Sequence, residues 1–101
     1  MRKLSTTGSF DRDMKKVRKY PAFKKSRFDM AVNALLNGEK LDPSFKDHKA
    51  VEHSRRGFNK SRIFHVAFDI VVVYIMTDTE IILQAIGSHT DLFEEINCIS
   101  I

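Results

Sequence analysis

The chain has 101 residues, 43% hydrophobic and 30% charged, which points to one domain, residues 1–101, with a single modest core. The longest apolar run, Ile70 to Met76, is far short of the ~18 residues of a membrane helix, and the single cysteine, Cys98, excludes an internal disulfide and suits a reducing cytoplasm. The net charge of +4 conceals an asymmetry: all 17 Lys and Arg lie within residues 1–62 against seven acids, whereas residues 63–101 carry six acids and no Lys or Arg, so the basic half suits a polyanion.

The N-terminus is basic and lacks the apolar centre of a signal peptide. Lys3 to Thr7 reads as a short first strand that Gly8-Ser9 breaks. Ser9 then suits a helix N-cap, with Asp11 and Asp13 at the positive end of the helix dipole. Phe10, Met14 and Val17 fall at i, i+4 and i+7, one helical face. Pro21 ends or kinks this helix, because Tyr20 before it is pushed out of the α region. A second helix spans about Phe23 to Asn37, with Phe28, Ala31, Val32, Leu35 and Leu36 as its apolar stripe. Gly38 is free to take positive φ and stop it.

Residues 38–62 are polar and irregular, with one weak strand near Ala50 to Arg56. The period then changes from helix to strand. Arg62 to Phe68 is one strand. Ile70 to Met76 is apolar on both faces, as a central strand must be. Thr77-Asp78-Thr79 turns the chain, and Glu80 to Ile86 returns as a hairpin partner. Residues 94–101 form a tail without clear assignment. The expectation is an α+β fold of order β-α-α-β-β-β, two antiparallel N-terminal helices on a small, mainly antiparallel sheet.

Four histidines stand at 48, 53, 65 and 89. His53, between Glu52 and Ser54, reads as a surface residue. On a regular strand His65, Ala67 and Asp69 share a face. The hairpin of the last two strands brings Asp69 and Gly87-Ser88-His89 to one end of the sheet. Cleavage of RNA by its own 2′-OH needs a base, an acid and cations for the phosphorane. Imidazoles, with an ordinary pKa near ~6.5, suit both proton roles. Arg62, Lys46 and Lys60 could hold phosphate, and Phe93 could stack on an unpaired base. No HxxxH or CxxC spacing supports a metal centre, so no metal or other cofactor is expected. Phosphate-loop and Ser/Cys nucleophile motifs are absent.

The phrases LDPSFKDHKA, GFNKSRIFHVAFDIVVVY and IILQAIGSHTDLF together resemble the YafQ branch of the RelE/ParE superfamily. Gly87 to Phe93 is similar to the family's closing G-[ST]-H-x-x-L-F, and Leu41 to His48 to its "D-H" phrase. His65-x-x-x-Asp69 with Tyr74 beyond it is similar to "H-[IV]-x-P-D-x-x-x-x-Y". Here Phe68 replaces the proline, and Ile63 stands where many members carry an acid. The resemblance implies a toxin of a toxin–antitoxin pair, an mRNA interferase that cuts mRNA on the ribosome without metal. It implies His48, His65, Asp69 and His89 as catalytic residues, with Phe93 supporting the site. It implies a small ribbon-helix-helix antitoxin of the DinJ or RelB kind, encoded beside the toxin. The alternative is a non-catalytic binding protein on the same scaffold, a gyrase-type inhibitor or RNA binder. ParE-type chains generally lack this histidine set.

Overall fold

The computed structural model describes residues 2–49, 61–67, 69–88 and 92. The weak strand expected near Ala50 to Arg56 and the tail at 94–101 lie outside them. Strand β1 (Lys3–Thr6) leads into helix α1 (Gly8–Val17) and then helix α2 (Lys25–Leu36). A 3-10 turn at Pro43–Phe45 precedes β2 (His48–Lys49), β3 (Arg62–Ala67), β4 (Ile70–Met76) and β5 (Glu80–Gly87). The five strands form one sheet in the order β1-β5-β4-β3-β2. Only β1 against β5 is parallel, so the sheet is mainly antiparallel as expected.

Helix α1 begins two residues earlier than the sequence suggests. Thr7, not Ser9, is the N-cap, and Gly8 is helical rather than a break. The reason is a double use of one hydroxyl. Thr7 Oγ1 accepts the Phe10 N–H at 3.1 Å and donates to the Gln84 carbonyl of β5 at 3.0 Å. A cap of this kind stabilises by about 1 kcal/mol. Here it also ties the start of α1 to the sheet. The helix ends at Val17, short of Pro21, with Lys15 and Lys16 in its last turn, where positive charge suits the dipole.

Helix α2 closes in a Schellman motif. Gly38, at φ 76°, donates to the Leu35 carbonyl and Glu39 to the Ala34 carbonyl. Arg2 reinforces this end, its Nη1 donating to the Leu35 carbonyl at 2.9 Å.

Both helices cover one face of the sheet. Phe10 and Val17 of α1 and Ala31, Val32 and Leu35 of α2 bury themselves against Phe64, Val72, Tyr74, Ile81, Leu83 and Ile86. Each Val, Leu, Ile or Phe among them contributes about 1.5–3 kcal/mol of apolar burial. On the opposite face Ile63, Val71, Val73 and Ala85 pack beneath Leu92. β4 is buried on both faces from Ile70 to Tyr74, as its unbroken apolar run requires.

One expectation about strand faces is overturned. β3 pairs His65 with Val71 but Ala67 with Ile70, so Val66 is an extra residue, a β-bulge. Regular alternation stops there. Ala67 packs with the core beneath the helices together with Phe64 and Val66, and so does not share a face with His65.

Candidate functional site

Strands β2 and β3 bring two sequence-selected histidines together. His48 lies opposite Ile63, and His65 stands two residues further along β3. They are therefore diagonal neighbours on the sheet face away from the helices. Their ring centroids are 5.7 Å apart and their planes are inclined by 36°.

The approach to His48 is set by the turn before it. Asp42 caps that turn through the Ser44 N–H at 2.9 Å, and Pro43 pre-sets its first residue. Phe45 is buried edge-on against Phe64, with centroids 6.2 Å apart. Lys46 then takes the left-handed conformation, φ 51° and ψ 43°. For a non-glycine residue that costs about 1–2 kcal/mol. The result is that the Lys46 carbonyl lies 2.6 Å from His48 Nδ1. A carbonyl only accepts, so Nδ1 carries a proton there. In the neutral ring the lone pair is then on Nε2. That atom is buried and has no hydrogen-bond partner among the described residues. It is a fixed tautomer presenting an unused basic nitrogen.

Asp47, the residue before this histidine, points to the opposite face and is held from two sides. Tyr74 Oη donates to Asp47 Oδ1 at 2.7 Å, and Arg62 donates through Nη2 to Oδ2 at 3.0 Å and through Nε to Oδ1 at 3.3 Å. Arg62 and Tyr74 are themselves opposite each other across β3 and β4. Burial, then the Asp47 hydrogen bond and charge, push the Tyr74 phenol well above its ordinary range. The bond to Asp47 raises Arg62 as well, despite some desolvation. Arg62, expected as a phosphate ligand, thus has much of its charge answered by Asp47. Asp47 and Tyr74 carried no assigned role in the sequence. The signal was a tyrosine inside an apolar strand, whose hydroxyl needs a buried partner.

Asp69 lies exposed in the turn between β3 and β4. Because Val71 pairs with Gly87, that turn sits beside the end of β5, as the hairpin reading requires. Lys46 is exposed next to the histidine pair. His89, Phe93, Lys60 and His53 lie outside the described residues. The flanks of His89 are described: the Leu92 N–H donates to the Ser88 carbonyl at 3.2 Å, and Leu92 is buried on the face that carries His48 and His65.

Two histidines at the short-stranded edge of a five-stranded sheet, with cations around them and two helices behind, define a compact basic α+β protein with a polar site at the sheet edge. The chain belongs to the family described as bacterial toxin of type II toxin-antitoxin system, YafQ, whose model matches residues 2–94. It is therefore a toxin of the YafQ type. Among solved structures, a copper-bound mutant toxin from Helicobacter pylori is 33% identical, with 92% of this chain and 100% of that one covered and a TM-score of 0.79. A metal-bound toxin from the same organism is 28% identical over 92% and 100% of the two chains, with a TM-score of 0.76. The E. coli DinJ-YafQ toxin-antitoxin complex matches at 26% identity, 91% and 97% coverage and a TM-score of 0.74. No curated protein matches the sequence significantly.

The metal in two of those relatives prompts a test of fit. Among the described residues no three His, Cys, Asp or Glu side chains are grouped to hold an ion. The His48–His65 pair alone supplies two ligands at most.

Proposed function

We propose that this toxin is a ribosome-dependent endoribonuclease that cleaves mRNA by histidine acid–base chemistry. The observation that carries the reading is the His48–His65 pair, with the Lys46 carbonyl fixing the tautomer of His48. His48 Nε2 takes the proton of the 2′-OH. The resulting oxygen attacks phosphorus and the bond to the 5′-oxygen breaks. An imidazolium, assigned to His89 by the family motif, protonates that leaving oxygen. The products are a 2′,3′-cyclic phosphate and a 5′-hydroxyl. His65 and Asp69 hold and assist the imidazoles, Lys46 and Lys60 stabilise phosphate charge, Arg62 anchors Asp47 beside His48 from the opposite face, and Phe93 stacks on a base. Base catalysis by Nε2 requires that it be uncovered when substrate binds. The chain offers no strong nucleophile, so orientation of the mRNA falls to the ribosome.

The DinJ partner in the E. coli complex supports a DinJ-like ribbon-helix-helix antitoxin for this chain. A cytoplasmic location follows from ribosome and mRNA as targets. No helix of the described residues is long and apolar enough to cross a membrane. We take residues 1–101 as one toxin domain, with 94–101 as an appended tail.

The test is induced expression followed by mapping of mRNA ends on ribosomes. The parent should cut mRNA and arrest growth, and His48→Ala should lower cleavage by about 10²-fold or more, the typical worth of a general base. Growth arrest with intact mRNA and a DNA-damage response would instead indicate the gyrase-type alternative.

A further inference from the structure

An open cleft of about 400 Å³ runs along the outer edge of β3, beyond the point where the two-residue β2 stops covering it. Its lining includes Lys24, Arg27, Ser44, Lys46 and His65. The volume lies within the roughly 300–1,000 Å³ of small-ligand sites. Among the described residues the lining carries three permanent positive charges and no carboxylate. Like charges gathered in one cleft repel one another, a single neighbouring carboxylate, Asp42, answers only part of that charge, and the arrangement is relieved by an anion.

Arg27 is the fixed member of the trio. Its guanidinium lies 4.3 Å from the centroid of the Phe45 ring. Nε donates to the Val66 carbonyl at 3.0 Å and Nη2 to the Ser44 carbonyl at 3.5 Å. Those contacts engage two of the five N–H donors of the group. A planar fork held by stacking and by the bulged strand is preorganised for a phosphate, because little side-chain entropy remains to be lost. Asp42, two residues before Ser44, caps the Ser44 N–H and its carboxylate also attracts Arg27, so one of the three charges is partly answered from outside the cleft. The cleft is continuous with the catalytic pair through His65, which lines it, and Lys46 lies one side of it and precedes His48 by two residues.

We propose that this cleft binds a phosphodiester of single-stranded RNA adjoining the one that is cut, with Lys24, Arg27 and Lys46 as its ligands. The identity of the anion rests on the ribonuclease reading above, since His65 shares the cleft. On this assignment the β3 edge threads the RNA backbone past the histidines, and the bulge at Val66 serves to present both the carbonyl that clamps Arg27 and the histidine beside it.

The experiment is fluorescence anisotropy of a short labelled single-stranded RNA with the full chain across a salt series. Loss of one phosphate contact lowers the slope of log K against log salt by about 0.7, so a fourfold rise in salt weakens a variant about 2.6-fold less than the parent. Lys24→Gln, at an exposed position, should show this loss, and Arg27→Gln should show it with a thermal melt confirming the fold. Lys16→Gln, exposed on α1 away from the cleft, should retain the parental slope. Unchanged affinity and slope in Lys24→Gln, or an equal loss in Lys16→Gln, would overturn the proposal. Mapping of mRNA ends with His48→Ala separates the two readings. Cleavage that survives His48→Ala sinks the catalytic assignment but leaves an RNA site if Lys24→Gln still weakens binding. Cleavage that disappears while Lys24→Gln binds normally removes the cleft alone.

Discussion

The Tyr74–Asp47 contact allows a quantitative prediction by double-mutant cycle. Tyr74 is fully buried and its hydroxyl meets a charged acceptor at 2.7 Å. Hydrogen bonds to charged groups contribute about 1.5–3 kcal/mol. Tyr74→Phe keeps the ring and opens no cavity beyond the hydroxyl. Asp47 keeps Arg62 and is 25% exposed, so water replaces part of the loss. The expected cost is therefore at the low end, about 1.5 kcal/mol. Asp47→Ala leaves the buried phenol without an acceptor and Arg62 without its anion, for about 3 kcal/mol. Once Tyr74 is Phe, the second change no longer strands a hydroxyl, so the double variant should cost about 1 kcal/mol less than the two singles added. Urea denaturation of the four proteins measures this. A coupling below about 0.3 kcal/mol, the scatter of independent sites, would refute a network joining β4 to the turn that positions His48.

Two further outcomes concern Tyr74 and Gly38. The folded phenol of Tyr74 ionises at a higher pH than the unfolded one, so its contribution is fully present below pH ~10 and is lost as pH rises towards the folded value. Stability of the parent should fall by up to about 1.4 kcal/mol per pH unit above ~10, and Tyr74→Phe should lack this component in a pH series of denaturant midpoints. Gly38→Ala meets no close neighbour, the nearest being Arg2 Nη1 at 3.7 Å, so its penalty is the positive φ alone. A loss of about 1 kcal/mol, read as a Tm lower by about 4–8 °C, is expected, and Gly38→Asn should recover part of it.

Much of the fold was legible because it depends on period and composition. The apolar run Ile70 to Met76 became β4 with those bounds, and the stripe of Ala31, Val32 and Leu35 became the buried face of α2. Register was less legible. A two-residue turn at 68–69 with no bulge would pair Ile63 with Tyr74 and Arg62 with Ile75. The bulge at Val66 shifts the ladder by one and sets Arg62 opposite Tyr74. Both then point to the side where Asp47 receives them, and that network was invisible without the shift.

The same extra residue decides which face the catalytic candidate occupies. Ala67 packs with the core beneath the helices. On a strand of strict alternation His65 and Ile63 would follow it there, and Phe64 and Val66 would turn outward. With the bulge, Phe64 and Val66 stay in the core beneath the helices while His65 moves to the opposite face within reach of His48. A bulge costs a ladder bond, and nothing in RIFHVA announces one, since each residue there suits a regular strand. What selects it is the competition between burying two large apolar side chains and burying an imidazole. Each apolar side chain gains about 1.5–3 kcal/mol on burial, whereas an imidazole without partners gives up its hydration. The order of His65 among its neighbours thus forces the irregularity, and the irregularity brings the histidine to the candidate site.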